Sequence, residues 1–346
     1  MRRVIKVAAA MSVAAVALAA CGNSSNTSSS GASSSGGAAK VKIGMAYDVG
    51  GRGDQSFNDA AAAGLDKAKK DLGVDAKEAE ATQGEPESAR EERLQQLIDA
   101  GYNNIVAVGF AYAPAVAKIA KANPDTKFAI VDSTDAKGSN IENLTFAEQQ
   151  GSYLVGAAAA LKTKTNHIGF IGGVQTDLIK KFEAGYVAGA KATKPDVKID
   201  IKYLTQPPDF SGFNSVDKGK AAADGMYQGG ADVVYHAAGG SGGGVFTAAK
   251  SAGKWAIGVD SDQAKTAPAD VRDVILTSMI KKVDVGVFDF ITSVKNGTFK
   301  AGNKVFDLKA GGVDYATTGG HIDDIKSKLD ELKQKIISGE ITVPKS

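Results

Sequence analysis

Cysteine is almost missing from this 346-residue chain: Cys21 stands alone. No intrachain disulfide can form, so the fold has to hold by burial. Histidine is scarce as well. His167, His236 and His321 are scattered, without metal-ligand spacing or a nearby cysteine, and His236, on an apolar strand, reads as a core histidine. No apolar run reaches the ~20 residues that a bilayer-spanning helix needs. No G-x-S-x-G turn leads from a strand into a helix, and Gly240-Ser241-Gly242 does not make one. No catalytic constellation emerges, and an enzyme is not expected. The run Gly239 to Gly244 opens a helix after a strand, yet as a lone motif in mid-chain it is weak support for a dinucleotide. No cofactor and no metal are expected.

What is present begins at the N-terminus. A basic start (Arg2, Arg3, Lys6) leads into an apolar stretch from Val7 to Ala20 and small residues before Cys21. That pattern is a secretory signal. Leu18-Ala19-Ala20-Cys21 resembles the bacterial lipobox, which implies cleavage before Cys21 and lipidation of its thiol. Residues 1–20 are thus expected to be a lipoprotein signal peptide. Residues 21–39, rich in Ser and Gly, form a tether that spans roughly 25 Å as a flexible coil. Removing the signal takes away three basic residues and turns the formal charge of +2 into about −1. A nucleic-acid partner is not suggested.

Beyond the tether, β-rich segments alternate with helical patterns. Strands are expected at Val41–Val49, Ile105–Gly109, Phe128–Asp132, Ile168–Gly172, Val197–Tyr203, Val233–Ala237, Ala256–Asp260 and Val274–Met279. The intervening apolar periodicity predicts helices, the first at Phe57–Leu72 with Ser56 as N-cap and the last at Ile322–Ser338. Short apolar strands between amphipathic helices point to parallel sheets covered on both faces. There are too many strands for one sheet, so two lobes are expected. Lys127-Phe128-Ala129-Ile130-Val131-Asp132-Ser133 recurs as Lys254-Trp255-Ala256-Ile257-Gly258-Val259-Asp260-Ser261 with one inserted glycine, which suits two similar lobes facing each other.

Ligands of such sheets bind beyond the carboxyl ends of the strands. Those ends carry Tyr47-Asp48, Ser56-Phe57-Asn58, Gly109-Phe110, Asp132, Phe210 to Asn214, Gly239-Gly240 and Asp260. Carboxylates suit vicinal hydroxyls or ring N–H groups, aromatic faces suit flat rings, and glycine lets the backbone approach. Only one arginine, Arg52, lies in these loops, which weighs against phosphate or carboxylate ligands. A neutral ligand, flat at one end and hydroxylated at the other, fits. A nucleoside matches this better than a sugar.

Asp48, Ser56-Phe57-Asn58, Phe128 to Asp132, Glu148 to Gly156, Gly169 to Gly173, Phe182 to Tyr186, Ala231 to Gly240, Gly258 to Gln263 and Thr277 to Lys281 resemble the basic membrane protein family of lipoproteins, in order over about residues 41 to 300. The resemblance implies a type I periplasmic-binding fold, with two Rossmann-like lobes, a hinge and a ligand cleft between them. It also implies a purine nucleoside receptor of an ABC importer. The base would lie between Phe57 and Phe213, with Asn58 and Asp132 reading its edge and Asp260 and Lys281 holding the ribose. Asp48, Gly239 and Gly240 complete the expected ligand-binding set, and Phe210 competes with Phe213 as the stacking ring. Lobe 1 is expected to comprise residues 40–147 plus 262–300, and lobe 2 residues 148–261 plus 301–346. The crossings are expected near Thr145–Gln149, Asp260–Ala264 and Lys295–Asn303. The expected partners are a nucleoside, ABC permease and ATPase subunits, and the membrane through the lipid, with the protein a monomer on the extracytoplasmic face. The alternatives are a receptor or adhesion lipoprotein without transport, a sugar-binding protein, and a nucleoside hydrolase.

Overall fold

The computed structural model describes residues 40–346; the signal, the tether and Cys21 lie outside the described residues. In chain order the elements are β1 (Lys42–Ala46), α1 (Phe57–Leu72), β2 (Asp75–Ala79), α2 (Glu87–Asp99), β3 (Asn104–Ala107), α3 (Ala113–Ala122), β4 (Lys127–Val131) and β5 (Ile141–Phe146). Then follow α4 (Glu148–Lys162), β6 (His167–Val174), α5 (Asp177–Thr193), β7 (Lys198–Thr205), α6 (Val216–Gln228), β8 (Val233–Ala237), α7 (Gly242–Ala252) and β9 (Trp255–Asp260). The last are α8 (Gln263–Thr266), β10 (Ile275–Lys281), α9 (Val283–Lys295), β11 (Gly302–Phe306), β12 (Val313–Tyr315) and α10 (Lys326–Ser338).

Two sheets result, ordered β11-β5-β4-β3-β1-β2 and β12-β10-β9-β8-β6-β7. The first is parallel throughout, and in the second only the β10–β12 pair is antiparallel. Parallel neighbours require a crossover, and the helices that supply it cover both faces. The strand period of two sorts the core. In β3, Val106 faces the side of α1 and α9, while Ile105 and Ala107 face α2 and α3. In β8, Val233 and Tyr235 face the side of α4 and α5, and Val234 faces α6 and α7.

The expected two-lobe α/β architecture is the observed one, but two lobe assignments need correction. Segment 262–300 was expected in the first lobe, yet β10 pairs in parallel with β9 and so lies in the second sheet. Segment 301–346 was expected in the second lobe, yet β11 pairs with β5 in the first. The chain therefore passes between lobes at Ala147, at Lys282 and just after Phe306. Only the first of these matches an expected crossing. Strand–helix alternation counts βα units; which sheet a strand joins depends on long-range pairing.

Candidate functional site

The carboxyl ends of the two sheets face each other across a cleft with about 550 Å³ of free space, mouth included. Asp48, Phe57, Asn58 and Asp132 line it from the first lobe, and Phe213, Gly239, Asp260 and Lys281 from the second. Gly240 does not line it. It faces a neighbouring groove with Gly50 and Asn214, because Gly239, at φ 54°, turns the chain away. Phe213 is the ring on the cleft wall, whereas Phe210 stands outside it, edge-on to Phe110 at 5.9 Å between centroids. Phe110, read among the strand ends but given no ligand role, lines the cleft, and so do Asp54 and Phe182, which sequence reading did not place in the site. Phe182 opens one of the segments that resemble the family, whereas Asp54 belongs to no motif that pointed to the cleft.

The repeated strands end alike in three dimensions. Asp132 after β4 and Asp260 at the end of β9 both take left-handed backbone, φ 68° and 63°. Aspartate tolerates that region better than most residues. The two carboxylates are then bound differently. Lys281 Nζ donates to Asp132 Oδ2 at 2.5 Å and lies 3.4 Å from Glu148 Oε1. Asp132 Oδ1 is buried with no hydrogen-bond partner among the described residues. Asp260 Oδ2 accepts from Ser56 Oγ at 2.6 Å.

That bond corrects the expected cap. Ser56 precedes α1, but its hydroxyl is not the cap. Asp54 caps instead, accepting from the backbone N–H groups of Ser56, Asn58 and Asp59. The Ser56 hydroxyl is free to reach the other lobe because Asp54 satisfies the helix end. Two further contacts close the same side: Gln263 Nε2 donates to Gln55 O at 3.0 Å, and Ser261 Oγ to Ser56 O at 3.2 Å. Asn58 lines the cleft, but its amide is largely engaged by the loop. Its Oδ1 accepts from the Asp48 N–H, and its Nδ2 donates to Asp54 Oδ2.

Burial dominates the electrostatics. It raises Asp260 to about 6, against the pull of Lys281 and the Ser56 hydroxyl. Burial likewise raises Asp48 to about 6, against the Val49 N–H and the charge of Arg90. Burial alone would lower the Lys281 ammonium, but Asp132, Glu148 and Asp260 outweigh it and hold the ammonium protonated. The ammonium lies 5.1 Å from the Phe57 centroid and 5.5 Å from that of Phe182. Burial lowers His236 to about 3, so it stays neutral in the core against Phe246. The cleft thus offers aromatic walls, buried carboxylates and one buried cation. It can hold a flat, largely neutral solute by stacking at one part and hydrogen bonding at another.

A cleft between two doubly wound lobes joined by three crossings is the architecture of a periplasmic-type solute-binding protein. The comparisons make this specific. Residues 40–346 match the Bmp family, described as PnrA-like substrate-binding proteins of ABC transporters, and the chain belongs to that family. It is 39% identical over 320 residues to the ABC transporter nucleoside-binding protein BmpA of Lactococcus lactis subsp. cremoris, covering 88% of this chain and 89% of that one. It is 39% identical over 318 residues to a CD4+ T-cell-stimulating antigen of Listeria monocytogenes, covering 87% of each. Among solved structures, an ABC transporter solute-binding protein from Aeropyrum pernix superposes with a TM-score of 0.77. That chain is 29% identical, with coverage of 88% of this chain and 94% of its own.

Proposed function

We propose that the chain is a lipid-anchored receptor that captures nucleosides, purines best, in the cleft and delivers them to an ABC permease on the extracytoplasmic face. One observation carries the ligand class. Asp132 Oδ1 is a buried acceptor with no partner among the described residues, in a cleft walled by Phe57 and Phe213. A buried carboxylate oxygen left without a donor is costly, and a ring N–H or hydroxyl of a stacked ligand would supply one. In this reading Phe57 and Phe213 sandwich the base. Asp132 reads its edge, and Asp48 and Asn58 hold the loop beneath it. Asp260 and Lys281 take the ribose, and Gly239 lets backbone approach. The nucleoside-binding relative supports the class. Transport and anchoring rest on the family and on the lipobox-like Leu18-Ala19-Ala20-Cys21.

Calorimetry of ligand-free protein with inosine, guanosine, adenosine, cytidine, ribose and a nucleotide tests the reading. Purine nucleosides should bind most tightly. Tight binding of ribose alone, or a preference for the nucleotide over its nucleoside, would overturn it.

A further inference from the structure

Next to the cleft lies a second groove, also with walls from both lobes. Phe110 lines both spaces and forms the partition between them. On the groove side Phe210 comes from the second lobe, while Pro114 and Ala117 come from α3 in the first. Arg90 of α2 lines the same groove, and it is 94% buried, with 6% exposure. Its Nε has no hydrogen-bond partner among the described residues. The nearby Glu85 does not supply one: its Oε1 is 3.7 Å away, and both its oxygens already accept from Arg93. Glu85 offsets part of the guanidinium's charge at that distance, but the buried Nε–H still lacks an acceptor, which is unfavourable.

We infer that this groove is a second ligand subsite, for a planar organic carboxylate whose anionic end meets Arg90 and whose flat body lies against Phe110 and Phe210. The guanidinium fork matches a carboxylate in geometry. The remaining walls are apolar and offer no further cation for a phosphate. Glu87 and Asp135 stand at the exposed rim, where solvent screens them. Because Phe210 and Arg90 belong to different lobes, occupancy favours the closed arrangement whatever the main cleft holds.

Benzoate is the probe, with inorganic phosphate as the contrasting ion, each titrated by ligand-observed NMR into the full folded chain. Saturable benzoate binding is expected. It should weaken roughly tenfold or more in Arg90→Gln and also weaken in Phe210→Ala, which leaves the buried guanidinium in place. Phosphate should not displace benzoate. Circular dichroism establishes that each variant is folded, and Phe210→Ala decides the matter alone if Arg90→Gln unfolds. Absence of saturable benzoate binding, equal binding by wild type and Phe210→Ala, or displacement by equimolar phosphate would each overturn the inference.

Discussion

Asp132 and Asp260 share a backbone conformation but differ in what holds their oxygens, lysine for one and serine for the other. In the proposed site, Asp260→Asn keeps the shape and removes the charge. Hydrogen bonds to charged groups contribute about 1.5–3 kcal/mol, so nucleoside affinity should fall roughly 10- to 150-fold by calorimetry. A 2′-deoxynucleoside should lose less, since one hydroxyl partner is already gone. Unchanged affinity together with an unchanged melting temperature would reject the ribose role. Phe57→Ala should cost about 1–3 kcal/mol of binding if its ring stacks on the base. Equal affinity in wild type and mutant would make Phe57 a packing residue only.

At the scale of elements, α4 and α5 pack closely enough that glycine is required between them. A Cβ on Gly189 would stand 2.0 Å from Tyr153 O, and one on Gly156 2.1 Å from Tyr186 O. Gly189→Ala should therefore force the helices apart and destabilise the second lobe by about 1–3 kcal/mol. Urea unfolding would measure this, and an unshifted midpoint would show that the helices separate freely. The elements also show where the sequence is legible. The eight expected strands carry apolar runs, and all are present. The missed β2, β11 and β12 are sheet edges: β2 and β11 carry charged residues, and β12 has only three residues. The missed β5 is interior but interrupted by Glu142 and Asn143, and Asn143 is buried by bonding Ala136 O and Asn303.

For the whole molecule, buried carboxylates set the response to pH. Asp48 and Asp260 hold protons up to about 6 when folded, above their ordinary value of 3.8. Their contribution to stability is complete below that ordinary value and is lost as pH rises through about 6. Glu78 and Glu85, held low mainly by arginine hydrogen bonds against burial, act oppositely, but only below the usual carboxylate range. Ligand-free protein should thus melt higher at about pH 5 than at about pH 7.5. A melting point that rises from about pH 5 to about pH 7.5 would contradict the raised values. For the anchor, Cys21→Ser should shift the protein from the detergent phase to the aqueous phase, or leave it unprocessed. If wild type partitions into water as fully as the mutant, the anchor is excluded.

Local pattern was enough for the class of fold, because apolar periodicity and strand ends reflect nearest neighbours along the chain. It was also enough to nominate Asp48, Phe57, Phe213 and Asp260 as cleft residues, since ligands of parallel sheets meet carboxyl ends, whereas Lys281 came from the family resemblance. Pairing across long separations decided the rest. It put β10 and β11 in the lobes opposite to those expected, while the helix cap passed from Ser56 to Asp54 through local bonds to Ser56, Asn58 and Asp59. It excluded Gly240 from the cleft and left Phe210 outside it against Phe110. It also buried Arg90 beside a groove that no motif announces. The strand order, the place of Phe210 and the groove beside Arg90 depend on which segment meets which across long separations, and that is settled only when both sheets have formed.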